Sequence, residues 1–203
     1  MGVRQSSRKP ANAREQIDRA AYELFSQYGV RAVGVDTLAA RAGVAKRTLY
    51  KYYPSKNELV LAFLRRREEL WTRSWLQGGI ERAAVTPAQK LLAIFDVFDE
   101  WFRRPDFEAC SFIKVLLEHA ESGHPLRKAS QRHIDTIRLF IRGLAVEAQV
   151  PDREEFAKQW QILMMGSIVA AYAGDLDAAR RTKAVGALLL ARNGIDARPG
   201  TRK

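Results

Sequence analysis

VDTLAARAGVAKRTLYKYYPSK, residues 35–56, is the stretch whose reading decides the fold. Leu38, Ala39 and Ala42 recur at helical spacing, and Gly43 interrupts the run. Val44 then leads into a second short amphipathic segment that Pro54 prevents from continuing. The pattern predicts helix, tight turn, helix. On a helix over 45–53, a rotation of about 100° per residue puts Lys46, Arg47, Tyr50 and Lys51 on one side and Ala45, Leu49 and Tyr52 on the other. A recognition helix needs that division, because it must be anchored to its own domain while presenting hydrogen-bond donors to a polyanion.

Upstream, Ile17, Ala20, Ala21, Leu24, Phe25 and Tyr28 follow the i, i+3, i+4, i+7 stripe of a helix over 13–28, and Gly29 supplies its stop. Packed on the pair, this helix closes a three-helix unit. Gly34 falls at the N-cap of the second helix, where it has no side chain to accept a bond from the exposed N–H groups. Residues 1–12 lack hydrophobic periodicity and are rich in small, polar and basic types. They read as a flexible basic arm, with Arg4, Arg8 and Lys9 available for auxiliary contacts in a minor groove.

The runs AREQIDRAAYELFSQYGV and VDTLAARAGVAKRTLYKYYPSKNELV resemble the DNA-binding domain of tetracycline-repressor (TetR) family transcriptional regulators. The resemblance rests on Leu24-Phe25 ahead of Tyr28-Gly29, Leu38-Ala39, Ala42-Gly43-Val44, Lys46, Thr48-Leu49-Tyr50, Tyr53, Ser55-Lys56 and Leu59. It covers about a quarter of the chain. Three positions depart from the family's usual pattern: Gly34 for Thr or Ser, Ala45 for Ser, and Arg47 for Gly. The resemblance implies that Thr48, Tyr50 and Lys56 bind phosphates and that Lys46, Arg47 and Lys51 lie in or near the major groove. Elementary chemistry suits each role. Arg and Lys neutralise phosphate and release counterions, Arg can donate two bonds to guanine O6 and N7, and Thr and Tyr hydroxyls are positioning donors.

Composition agrees with such a partner. The 203 residues are 47% hydrophobic and 28% charged, an ordinary globular balance, but the net charge is +11. Residues 1–56 hold 11 Lys+Arg against 4 Asp+Glu, and the remainder 23 against 19. The excess is concentrated at the N-terminal end, which suits nucleic acid or an anionic surface. The first twenty residues show no apolar signal segment, and a single cysteine, Cys110, forms no internal disulfide. The longest uncharged run, 159–174, is shorter than the ~20 apolar residues of a transmembrane helix. The expectation is a cytoplasmic protein without membrane association.

The rest of the chain reads as all-α. A helix over 55–77 opens with Ser55 as N-cap and Glu58 three residues later; it would run from the first domain into the second as a mechanical link, and the sequence loosens at Gly78-Gly79. Further helices are expected over 86–102, 111–120, 125–148, 152–173 and 176–192. The resulting division is an arm over 1–12, a helix-turn-helix domain over 13–56, and a larger helical effector-binding and dimerisation domain over 57–203. Residues 161–173 are apolar almost all round, and Gly166, Ala170, Ala171, Ala184, Gly186 and Ala187 are small enough for close helix packing. They predict a homodimer joined by a four-helix bundle, which the resemblance also implies.

Motifs for catalysis are missing from the sequence: there is no phosphate-binding G-x-x-x-x-G-K-[ST], no G-x-S-x-G and no H-E-x-x-H. His119 and His124 stand five apart, off a common helical face, and no metal or cofactor is expected. The aromatic supply is generous, and Phe63, Trp71, Phe95, Phe98, Trp101 and Phe112 are the expected lining of a pocket for a largely apolar small-molecule effector. The resulting expectation is a sequence-specific DNA-binding transcriptional repressor that binds a palindromic operator as a homodimer and is released from it by the small-molecule effector. Two competing readings are a helical enzyme acting on an apolar substrate and a sequence-indifferent nucleic-acid-binding protein.

Overall fold

The computed structural model describes residues 12–197, and its regular elements are helices. Arg4, Arg8 and Lys9 lie outside the described residues. Asn12, placed by the sequence in the arm, instead caps the first helix: its side chain accepts from Glu15 N at 2.9 Å. Two compact units meet between Arg65 and Arg66.

In the N-terminal unit α1 (Ala13–Tyr28) packs against α2 (Val35–Ala42) and α3 (Lys46–Tyr52). Ile17, Ala20, Ala21 and Phe25 of α1 are buried as the stripe predicts, whereas Tyr28, at its last turn, is exposed. Leu38, Leu49 and Tyr53 complete the core between the helices. The turn between α2 and α3 depends on Gly43. Its φ of +66° is the left-handed region that side chains disfavour, and it lets Val44 N reach Ala39 O at 3.0 Å and Gly43 N reach Ala40 O at 3.1 Å. These two bonds satisfy carbonyls that the end of α2 would leave open.

The sequence put Ala45 and Tyr52 on the packing side of α3, and both are exposed. The reason is the helix's brevity. It ends at Tyr52, and Tyr53 turns to extended backbone (φ −133°, ψ 96°), so the adjacent ring, rather than Tyr52, enters the core.

The unit boundary falls inside α4 (Lys56–Arg67), whose Glu58 N bonds to Ser55 Oγ at 3.2 Å as the capping pattern predicts. Beyond Arg67 the chain departs from the expected continuous α-helix. Glu68–Gln77 is a π-helical segment, a wider turn that sets both Trp71 and Trp75 against Trp101, with ring centroids at 5.0 and 5.6 Å. Nor does the chain loosen at Gly78 and Gly79, which belong to α5 (Gly78–Ala83). A Cβ on Gly79 would stand 3.0 Å from Val97 Cγ2, so the glycine serves close packing on α6 rather than flexibility.

The C-terminal unit is built around α6 (Pro87–Phe102), which packs against α5, α8 (Pro125–Glu147), α9 (Arg153–Tyr172) and α10 (Ala178–Arg192). Thr86 and Gln89 close its first turn with reciprocal bonds of 3.3 Å, and Pro87 costs nothing at a position whose N–H has no helical acceptor. The short α7 (Ser111–Glu118) leans on α8, where Ser130 Oγ donates to Phe112 O at 2.6 Å. Phe95, Phe98, Phe102, Phe112, Phe156 and Trp160 are the large fully buried side chains of this unit. Among the described residues no helix is long and apolar enough to cross a membrane.

Candidate nucleic-acid interface

α3 is held at its middle and just past its C-terminal end. Leu49 anchors its middle. Past its end, the Tyr53 hydroxyl donates to Asp18 of α1, with the Arg14 guanidinium 6.0 Å from the ring centroid. Burial, and then the bond to Asp18, push the Tyr53 phenol above its ordinary pKa, so it remains a donor at any physiological pH. Anchored in this way, α3 presents Lys46, Arg47, Tyr50 and Lys51 to solvent, with Thr48 half-buried beside them; Lys56 follows at the start of α4, half-buried. Five of the six residues named by the sequence thus fall on one short helix, and the sixth opens the helix that follows it.

Two partners were not foreseen. Lys46 Nζ stands 2.9 Å from Asp36 Oδ1 and 3.2 Å from Oδ2, which holds the ammonium above its ordinary pKa. Arg41, on α2, bonds Glu23 of α1 at 2.6 Å. The sequence signal for the first was an acid in the opening turn of α2, ten residues ahead of Lys46, but pairing it required the geometry of the Gly43 turn. Arg47 and Lys51 carry no ion pair among the described residues.

The expected effector residues are less united. Trp71, Phe98 and Trp101 form one aromatic group, with centroid separations of 5.0 to 6.3 Å, and Phe95 joins it through Phe98 at 6.3 Å while also facing Trp160 at 5.5 Å. Phe112 stands apart against His133 at 4.9 Å. Phe63 does not belong with them. It packs edge-on against Tyr22 and Phe25 in the N-terminal unit, because the first turns of α4 are part of that core. Trp71 Nε1, Thr72 Oγ1 and Ser111 Oγ are buried without a hydrogen-bond partner. His119 and His124 stack at 4.3 Å, and His119 Nδ1 lies 2.9 Å from Val115 O. Among the described residues no group of His, Cys, Asp or Glu is placed to hold a metal ion.

A short exposed cationic helix, set by a glycine turn against two others, defines a helix-turn-helix DNA-binding protein. The profile of bacterial regulatory proteins of the tetR family matches residues 17–63, which span this unit from α1 into α4. Residues 17–63 thus carry the DNA-binding domain of tetR-family bacterial regulatory proteins, and the chain is similar to transcriptional regulators of that family. The regulator YjdC of Escherichia coli is 23% identical over 83% of this chain and 90% of its own length. The transcriptional activator FasR of Mycolicibacterium smegmatis is 38% identical over 48% of this chain and 44% of its own. A TetR-family regulator from Streptomyces coelicolor shares the fold with a TM-score of 0.82 at 21% identity, covering 95% of this chain and 96% of that one. Regulators of this family bind DNA and act as dimers.

Proposed function

We propose that the protein is a homodimeric repressor that binds a near-palindromic operator through two α3 helices and leaves it when a small molecule binds the C-terminal unit. The observation that carries this reading is the pairing of an exposed cationic α3 with an unpartnered apolar stripe elsewhere on the chain. Ile162, Gly166 and Val169 recur along α9 on its exposed side, ending at its cap Ala173, and Val185 and Leu188 do so on α10, with Ile162 69% and Leu188 70% exposed. A stripe of this kind on two adjacent helices suits a four-helix bundle between copies, since exposed apolar patches mark association sites. On the DNA side, Arg47 and Lys51 are the residues to read base edges, and Thr48, Tyr50 and Lys56 those to fix the helix on phosphates.

Repression is the family's usual sign, although FasR is an activator. The effector reading is supported by the aromatic group around Trp101, to which Trp71 brings a buried indole N–H without a hydrogen-bond partner. Burial of an unpaired polar atom costs stability, so a ligand that pairs it gains that amount. The effector this favours is an apolar molecule carrying a small hydrogen-bonding group. It lowers DNA affinity only by its preference for the conformation unable to bind, so the two equilibria are reciprocal. No catalytic role is assigned.

The test is a thermal-shift screen of small aromatic compounds, followed by operator release. Compounds that stabilise the wild type should release DNA, and should do neither with Trp101→Ala. A stabilising compound whose effect survives that substitution, or that leaves operator binding untouched, contradicts the effector reading.

A further inference from the structure

Lys46 opens the recognition helix, yet its ammonium is held in two-pronged fashion by Asp36, from the first turn of α2. Both side chains are exposed, Lys46 by 51% and Asp36 by 80%. An ion pair so open to water contributes little to folding. Its consequence is for the partner. Binding to duplex of any sequence is driven by cations that neutralise phosphates and release counterions. A lysine already neutralised by its own domain supplies none of that drive, and to clamp a phosphate it must abandon a carboxylate that then faces the polyanion. Arg47 and Lys51, on the same helix, are under no such restraint among the described residues.

We propose that Asp36 is a specificity-determining residue: by holding Lys46 it weakens attachment to DNA of arbitrary sequence and leaves recognition to Arg47 and Lys51. The proposal rests on α3 being the DNA-facing helix. The raised Lys46 pKa agrees with it, since the hydrogen bond to Asp36 is the first cause. A purely structural role makes the opposite prediction. Asp36 lies at the positive end of α2, whose N-cap Gly34 makes no side-chain bond, so removing its charge would loosen α2 and weaken DNA binding.

The experiment measures affinity of the full chain for a random-sequence duplex between 50 and 200 mM KCl, for wild type, Asp36→Asn, Lys46→Met and the double variant. Asp36→Asn is expected to bind several-fold tighter, and its log–log salt slope to steepen by about 0.9, the value of one added phosphate contact. In the Lys46→Met background the same substitution should leave the slope unchanged, because no lysine is released. Equal gains in both backgrounds would mean that Asp36 merely repels phosphate, and would overturn the proposal; so would weaker binding by Asp36→Asn. A wild type that bound no duplex would overturn the DNA-facing placement of α3 itself, which is a distinguishable failure.

Discussion

Arg47 and Lys51 sit four residues apart on α3 with their side chains in solvent, but they are assigned different work. Arg47 stands where Gly is frequent in the TetR-type pattern, so its guanidinium is an added fork able to bridge two acceptors on one guanine. Arg47→Ala should relax base choice at one position of each half-site at a cost of about 1–3 kcal/mol on the preferred base, read by competition among single-base operator variants. Lys51→Ala should weaken all duplexes alike and lower the salt slope by about 1, read by titration at several salt concentrations. Unchanged base preference with Arg47→Ala would remove that residue from the reading set. A third expectation concerns Cys110, which is buried. Burial pushes its thiol above the ordinary cysteine range, so at pH 8 it stays protonated and shielded. Alkylation by iodoacetamide should therefore be slow in the folded protein and fast in urea; fast modification of the native chain would contradict the enclosed position.

At the scale of elements, glycines separate tight packing from open surface. On Gly186 of α10 a Cβ would meet Trp160 Cη2 at 2.9 Å and Phe95 Cε2 at 3.3 Å, whereas on Gly143 of α8 it meets nothing within 4 Å. Gly186→Ala should lower the urea midpoint by the equivalent of about 1–3 kcal/mol. Gly143→Ala, which removes a flexible residue from an exposed helix interior, should raise it by about 0.5–1 kcal/mol. Most helices were legible in the sequence for a physical reason: a face buried along α1, α6 or α8 writes a 3.6-residue repeat, and Gly43, Thr86-Pro87 and Pro125 punctuate it. Ambiguity arose where local pattern is indifferent to the outcome. The π-helical turn at Glu68–Gln77 has the same apolar residues an α-helix would have, and only the fit of Trp71 and Trp75 to Trp101 distinguishes the two. The sequence groups Phe63 with the effector residues because a helix crossing a unit boundary does not announce which core its first turns enter. The six proposed DNA contacts were legible as a group because they share one short segment. Asp36, the partner of Lys46, and Asp18, which anchors the neighbouring Tyr53, are not legible there, since both come from other helices.

For the whole molecule, the apolar stripe on α9 and α10 and the cations of α3 have to act together, because one half-site offers only half of a palindrome's contacts. Leu188→Glu, on an exposed position of α10, should convert the dimer to a folded monomer by size exclusion, with operator affinity falling at least a hundredfold. A dimer that survived it would move the interface elsewhere. The central claim is that two copies of this chain read one symmetric sequence, and selection of bound duplexes from a random pool by the intact wild-type protein tests it most directly. The account predicts enrichment of a near-palindrome whose half-site centres lie about one helical turn, ~10 base pairs, or a multiple of it apart; a bound pool with no enriched sequence, or with one unrepeated half-site, would contradict it.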